Sequence, residues 1–563
     1  MKKIIVFTLL ICFTPLTAFA ADDDLQKLAK EFFAWRAITQ PATSDDINRV
    51  ERPDGWAPDF SKTAIEKSVQ KYNNYKTKLF DITEENWTRS DSIDFLIMRS
   101  AIERVNWEIN ILKLPYKNPD FYVHQTLGIL YELLIINSPM TEIRAKNIIT
   151  RLNSFQRTIN DAKINLAEPV NVFADIALQN LDDPRKRLLE CSNALKPLFP
   201  KKYHDDLDKA ISSSAAALED YICWINKNRD LMTDDFSVGK KNYEYFLKDI
   251  ALYPYTPEEL VSMGNQAWNR SVAFDHYEKI RNRNIAQPQI FENIDEQNKQ
   301  QRIDEANIRN FLEDNDIVTV PEWLQHYYTI KTPDHIEPFK YMGVVDDLTS
   351  ETRLDEDAIA YIPDPSPNLS YFRLATAKDP RPIIIHEGIP GHYFQMALSW
   401  KNSNPIRRRY IDSGSMEGIA FYVEELLLQY GLFDDRPHTR EIIYSFMRLR
   451  ALRVDIDVNL ALGNYSIEKA GAYLASTIPM DLPTAVDEAG FFAMTPGQAI
   501  SYQIGKLQIL DFLADAKIKL GDKFDLRHFH DYLIVNGNVP IALQRWEYLG
   551  LTDEINNLWP NSK

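Results

Sequence analysis

"DSIDFLIMRSAIERVNWEINILKL", Asp91 to Leu114, decides the class of fold. Within it Ile93, Ile97, Ile102 and Val105 recur near a 3.6-residue spacing among charges, the pattern of a helix with one face turned to a core. The same periodicity dominates outward from Leu25 to about Asn228. This half of the chain is expected to be helical throughout.

Downstream, Thr256 with Glu259 three residues later predicts a helix start through a capping box, and the polar stretch Glu292 to Asp314 reads as a helix with a solvated charged face. Between about Lys331 and Pro382, the prolines at 333, 338, 363, 365, 367, 380 and 382 preclude long helices. "LSYFRLA", Leu369 to Ala375, alternates as a strand does, and helical patterns resume from Ile383 almost to the C-terminus. The expectation is a mainly α protein with a small β-sheet beside the motif that follows. It divides into an N-terminal helical region, 21–235, and a second region, 236–563.

With 563 residues, 45% of them hydrophobic, the chain can bury a large core. Lys+Arg 64 against Asp+Glu 81 leaves a net charge of -17, and no basic run offsets it, which excludes a nucleic-acid partner. Lys2-Lys3, an apolar run from Ile4 to Phe13, then Ala18-Phe19-Ala20 before Asp22 follow signal-peptide order. Residues 1–20 are therefore expected to be a cleaved signal peptide, with a mature start at Ala21 and a periplasmic or secreted location. The apolar run is shorter than the roughly 20 residues a bilayer requires, and no later run suggests a membrane span. Ile11 fits poorly the small-residue cleavage site that lipidation of Cys12 requires. Cys191 and Cys223 are equally compatible with one bridge or with two buried thiols.

The chemistry concentrates in "HEGIPGH", His386 to His392. It opens as the zinc-protease helix H-E-x-x-H does, but its second histidine arrives two residues late. In an unbroken helix, residues six apart are offset by about 240°, so the two imidazoles would diverge. Pro390-Gly391 is the pair most able to interrupt a helix, and a bulge there would aim both rings at one ion. A catalytic zinc needs a third protein ligand. In zinc proteases of the thimet-oligopeptidase and angiotensin-converting-enzyme type it is a glutamate on a second helix, about 25 residues on. That count lands on Glu417, in "SMEGIAFYVEELLLQYG", and Glu424 follows two turns later on the same face, where it would orient a ligand histidine.

"HEGIPGHYFQ" and "EGIAFYVEE" resemble the H-E-x-x-P-G-H and E-G-W-A-x-Y-x-E patterns of the bacterial domain of unknown function 885 family. The likeness extends to "TPGQAISYQIGKLQIL" and "FDLRHFHDYLIVNG", and so covers most of the mature chain. The family is grouped with gluzincin-like metallopeptidases. The resemblance thus implies a large helical fold with a deep cleft, Zn²⁺ held by His386, His392 and Glu417, and Glu387 as general base. Ile419 replaces the family's tryptophan, Tyr393 the second histidine of its G-H-H, and Ala461 the histidine of its D-T-G-I-H.

Glu387 adjoins a ligand histidine, where a carboxylate can take a proton from an attacking water and pass it to the leaving amine. Tyr502, on a helix expected to begin near Pro496, faces the same way as Gln498 and is the candidate donor to a carbonyl oxyanion. Arg450 and Arg453, near Asp455 and Asp457, read as structural ion pairs. His528 and His530 diverge on a helix and read as packing or surface residues. No G-x-S-x-G and no phosphate-cradling glycine loop occurs. The expectation is an exported zinc metallopeptidase acting on short peptides. The alternatives are a zinc hydrolase of another amide and a helical peptide-binding protein with weak catalysis.

Overall fold

Helices begin where side chains can satisfy their first backbone N–H groups. Thr88 and Asp91 form a capping box at the start of the helix Arg89–Asn106, and Thr256 with Glu259 forms another at Pro257–Arg281. Ile93, Ile97, Ile102 and Val105 are all buried, as their spacing predicts. The computed structural model describes residues 23–43, 50–83, 87–343, 345–478 and 480–559. The expected signal segment, with Cys12 and Ala21, lies outside the described residues.

The architecture is mainly α, with one small sheet. Helix Glu142–Asn165 packs on His204–Lys227 in the N-terminal half. In the C-terminal half, Pro257–Arg281 lies along His438–Ala461, and Ser413–Gln429 along Ser501–Leu520. The cores cross residue 236. Ile336, Phe339 and Tyr361 join the cluster around Leu134, Ile148 and Leu218, and Ile406, Tyr410 and Leu543 join that around Phe32 and Ile97.

The sheet comprises β1 (Tyr327–Lys331), β2 (Asp346–Asp347) and β3 (Ala358–Ile362) in the order β1-β3-β2. β3 is parallel to β1, with Tyr327 opposite Ala358, and antiparallel to β2. Gln301, on the helix Ile294–Asp314, reaches across to β1, donating to Tyr327 O and accepting from Thr329 N. That occupies the edge of β1 away from β3.

Two expectations are corrected, and one open alternative is resolved. Leu369–Ala375 is not a strand, because Ser370 takes the N-cap position of a helix, Tyr371–Lys378. Tyr371 and Phe372 pack on Phe446, and seven residues are too few to distinguish alternation from one helical turn of burial. The helix Ile294–Asp314 is not merely solvated, because Asp304 and Glu305 are buried and paired with Arg436 and Arg309. Cys191 and Cys223 are not bridged, one being buried and the other exposed. No described helix is long and apolar enough to cross a membrane.

Candidate metal centre

The motif is a full break rather than a bulge. Ile384–Gly388 forms a single π-helical turn, Ile389 is extended, the Ile389–Pro390 peptide is cis, and a new helix, His392–Trp400, starts at the second histidine. The chain folds back so tightly that a Cβ on Gly391 would lie 1.8 Å from the carbonyl oxygen of His386. A Cβ on Gly388 would meet the Tyr327 ring at 2.6 Å, which seats the turn against β1. Only glycine fits either position. The result sets the rings of His386 and His392 at 4.9 Å between centroids and 80° to one another.

The third residue arrives by a backbone-to-backbone crossing. Asp412 caps the helix Ser413–Gln429 by accepting from Ser415 N. Gly414 and Gly418 on that helix face Gly505 on Ser501–Leu520, where a Cβ on Gly505 would lie 2.1 Å from Gly414 O. Lacking side chains there, the two helices approach closely enough to bring both Glu417 and Tyr502 to the histidines. This glycine spacing was present in the sequence but carried no chemical signal of its own.

Glu417 Oε2 lies 3.3 Å from His392 Nε2 and 3.6 Å from His386 Nε2. It is buried and makes no well-aligned hydrogen bond. Donors at roughly 2.0–2.2 Å from a tetrahedral ion stand roughly 3.3–3.6 Å apart, so the spacing fits a zinc ion. Glu387, half-buried, also offers a carboxylate oxygen within 4.8 Å of ligand nitrogens of both histidines. The donor set therefore suits the metal the sequence suggested.

The surroundings favour an ionised Glu417 and pair it with both imidazoles. Burial would raise the pKa of Glu417, but the two imidazoles outweigh it and hold the carboxyl well below its usual range. Burial and Arg450 disfavour a proton on His386, yet Glu417 and Glu424 prevail and raise its pKa. Glu424 Oε1 lies 2.7 Å from His386 Nδ1, which leaves Nε2 toward Glu417. His392 Nδ1 is buried and has no hydrogen-bond partner among the described residues.

Arg450 is an ion-pairing residue, but its partner is Glu424 at 3.0 Å rather than a nearby aspartate, and Arg453 pairs with Glu488 at 2.7 Å. Both guanidinium groups also lie over the Tyr502 ring, at 5.4 and 5.2 Å, and that ring stacks parallel to His386 at 6.2 Å. The helix bearing Tyr502 starts at Ser501 rather than Pro496, because Gly497 has φ +93°. Asp457 fastens that turn, accepting from Gly497 N and Ala499 N at 2.9 Å, and burial pushes its pKa up to about 7 despite those bonds. Ala461 is packed in an apolar cluster with Tyr243, Val458 and Ile504. His530 is buried at a distance from these residues in sequence, while His528 is exposed.

A cavity of about 370 Å³ opens against Met416 and Glu417, walled by Phe32, Phe33, Arg104 and Trp400. A second, of about 120 Å³, shares Arg104 and Ser413 with it and passes Gln498 and Ser501. Gln498 is buried with its Nε2 unpartnered among the described residues.

The model of a family described as "Bacterial protein of unknown function (DUF885)" matches residues 42–546. Two solved structures share the fold. A protein from Colwellia psychrerythraea assigned as a lipoprotein has a TM-score of 0.75 at 16% identity, covering 96% of this chain and 100% of its own. A protein of unknown function from Shewanella oneidensis, also assigned as a lipoprotein, has a TM-score of 0.70 at 16% identity, covering 94% of this chain and 100% of its own. No curated protein matches the chain.

Proposed function

The chain belongs to the DUF885 family of bacterial proteins of unknown function, and from the cluster at His386 we propose that it is an exported zinc-dependent peptidase of gluzincin-like type. One observation carries this reading. Glu417 Oε2, buried and without a well-aligned hydrogen bond, faces Nε2 of both histidines at the spacing of zinc ligands.

A zinc ion held by His386, His392 and Glu417 would supply a Lewis acid that lowers the pKa of an attacking water to about 7 and polarises a carbonyl. Glu387 takes the proton from that water and delivers it to the leaving nitrogen. Tyr502 donates its hydroxyl proton in a hydrogen bond to the carbonyl oxygen as charge develops there. Glu424 keeps His386 in the tautomer that offers Nε2. The cavity beside Glu417, with the smaller one that shares Arg104 and Ser413, has room for an extended segment of peptide, which favours short peptides over folded proteins. Export rests on the signal-like order of residues 2–24 and on the assignment of both structural neighbours as lipoproteins. Mass spectrometry of the protein from its host should find Ala21 at the mature N-terminus. Met1, or a lipid on Cys12, would overturn the cleavage assignment.

The test of the activity begins with metal content. Chelator-free protein should carry close to one zinc per chain, and His386→Ala, His392→Ala and Glu417→Ala should each lose most of it, since a three-ligand site has no spare. Turnover of a mixed peptide library should stop with chelator and return with zinc. Wild-type protein that binds no zinc, or cuts peptides equally well without it, would sink the proposal.

A further inference from the structure

Arg104 is the one arginine lining both cavities, the larger of which reaches Glu417. It is half-buried on the inner side of the helix Arg89–Asn106. The other arginines on these walls are paired: Arg36 with Glu108 at 2.8 Å, and Arg409 with Glu351 at 3.2 Å. Arg104 has no ion pair and no side-chain hydrogen bond among the described residues.

The carboxylates nearby are already engaged. Glu108, in the π-helical turn Trp107–Ile111 that follows this helix, is held by both oxygens to Arg36. Glu351 meets Arg408 and Arg409, and Glu51 accepts from Thr352. Asp120 accepts from Asn180 and pairs with His124, Asp412 caps Ser415 N, and Glu417 faces the two histidines. In a chain of net charge -17, an arginine left unpaired in a cleft crowded with acids is a cation kept for something outside the chain. A guanidinium presents a planar fork that matches a carboxylate through two parallel N–H···O bonds. The wall around it is apolar and aromatic, with Phe32, Phe33, Trp400 and Met416, which suits a hydrophobic side chain next to that carboxylate.

We infer that Arg104 receives the carboxylate of a peptide lying in the cleft, with the peptide running from Arg104 toward Glu417. This makes Arg104 a specificity residue. The inference rests on the reading of the cleft as a peptide site, but it concerns recognition and is testable without turnover.

The experiment measures binding by calorimetry to the full chain, both chelator-treated and zinc-loaded. One pair of probes is acetyl-Ala-Ala-Phe and its C-terminal amide. A second pair, acetyl-Ala-Glu-Phe amide and acetyl-Ala-Gln-Phe amide, separates a terminal carboxylate from a side-chain one. In at least one pair the acid should bind roughly tenfold or more tightly than its neutral twin. Arg104→Gln should bring the acid down to the affinity of the neutral probe and leave the neutral probe unchanged, while Arg104→Lys should retain part of the preference. Wild-type protein that discriminates in neither pair overturns the inference. So does a preference that survives in Arg104→Gln, or an equal loss for acid and neutral probes, which would mark a structural role. If the chain binds no zinc yet discriminates through Arg104, the peptidase reading fails and this one stands.

Discussion

Glu424 Oε1 sits between an imidazole and a guanidinium, 2.7 Å from His386 Nδ1 and 3.0 Å from Arg450 Nη2. One carboxylate thus faces the His386 imidazole and neutralises a buried guanidinium. Glu424→Gln keeps the shape and removes the charge. Zinc affinity should fall by roughly 10- to 100-fold, the usual consequence of losing a partner behind a metal ligand. Arg450 would lose its anion while buried, so stability should fall as well, by about 3–5 kcal/mol if nothing else compensates. Chelator competition reads the first effect and denaturant unfolding the second. Unchanged zinc affinity would remove Glu424 from the site.

Gly391→Ala tests the break itself. The added methyl would meet the backbone oxygen of His386 at 1.8 Å, and a backbone atom cannot swing aside as a flexible side chain can. The turn must open, which moves His392 relative to His386. We expect loss of most bound zinc together with a destabilisation of about 3 kcal/mol or more, at the upper end of overpacking effects. A variant that keeps full zinc and wild-type unfolding would mean that the fold-back is not what joins the two histidines.

These two tests fall on the parts of the site that were legible in different degrees. The spacing of His386 and His392 forbade an ordinary helix, and Pro390-Gly391 marked where it had to end, so the need for a break could be read directly. Its form could not: a π turn followed by a fresh helix start depends on Gly391 lying against a carbonyl one turn back and Gly388 against Tyr327, contacts 5 and 61 residues away in sequence. Glu424 was readable because seven residues return to the same helical face. Arg450 was assigned to the wrong anion, since sequence proximity to Asp455 and Asp457 is no guide when two helices cross. Thr256 was legible because capping is local, whereas Leu369–Ala375 was not, because seven residues carry too little period and Phe446 supplies the missing half of the argument. Arg104 gave no signal at all. Its distinction is the absence of a partner, which only three-dimensional neighbours define.

The same crossing helix carries a prediction about pH. Tyr422, one turn beyond Glu417, bonds His530 Nε2 at 2.8 Å, while His530 Nδ1 donates to Ile317 O at 2.7 Å. That arrangement suits the neutral ring, and burial lowers the His530 pKa to about 4 from an ordinary 6.5. The folded state therefore binds fewer protons than the unfolded one between those values, so stability is full above about pH 6.5 and declines as pH falls toward 4. The loss should approach about 3 kcal/mol over that window. His530→Gln, which can offer a donor and an acceptor without titrating, should flatten that part of the stability profile measured by denaturant unfolding. An equally steep profile in the variant would assign the acid sensitivity elsewhere.

Glu387 decides whether the cluster is machinery or merely a metal clamp. Its carboxylate is near enough to both histidines to act as a fourth ligand, yet it is half-buried where Glu417 is fully enclosed. Glu387→Gln retains size and a carbonyl oxygen while abolishing basicity. If Glu387 is the general base, zinc content and unfolding should stay near wild type and turnover should fall by on the order of 10²–10⁴. Peptide affinity should survive, because binding depends on the cleft beside Glu417 and Arg104, so an uncut peptide should remain bound. Loss of zinc in this variant would instead make Glu387 a ligand and reopen the role of Glu417. Normal turnover with zinc intact would leave the proton without its carrier, and the peptidase mechanism proposed for His386 to His392 would have to be abandoned.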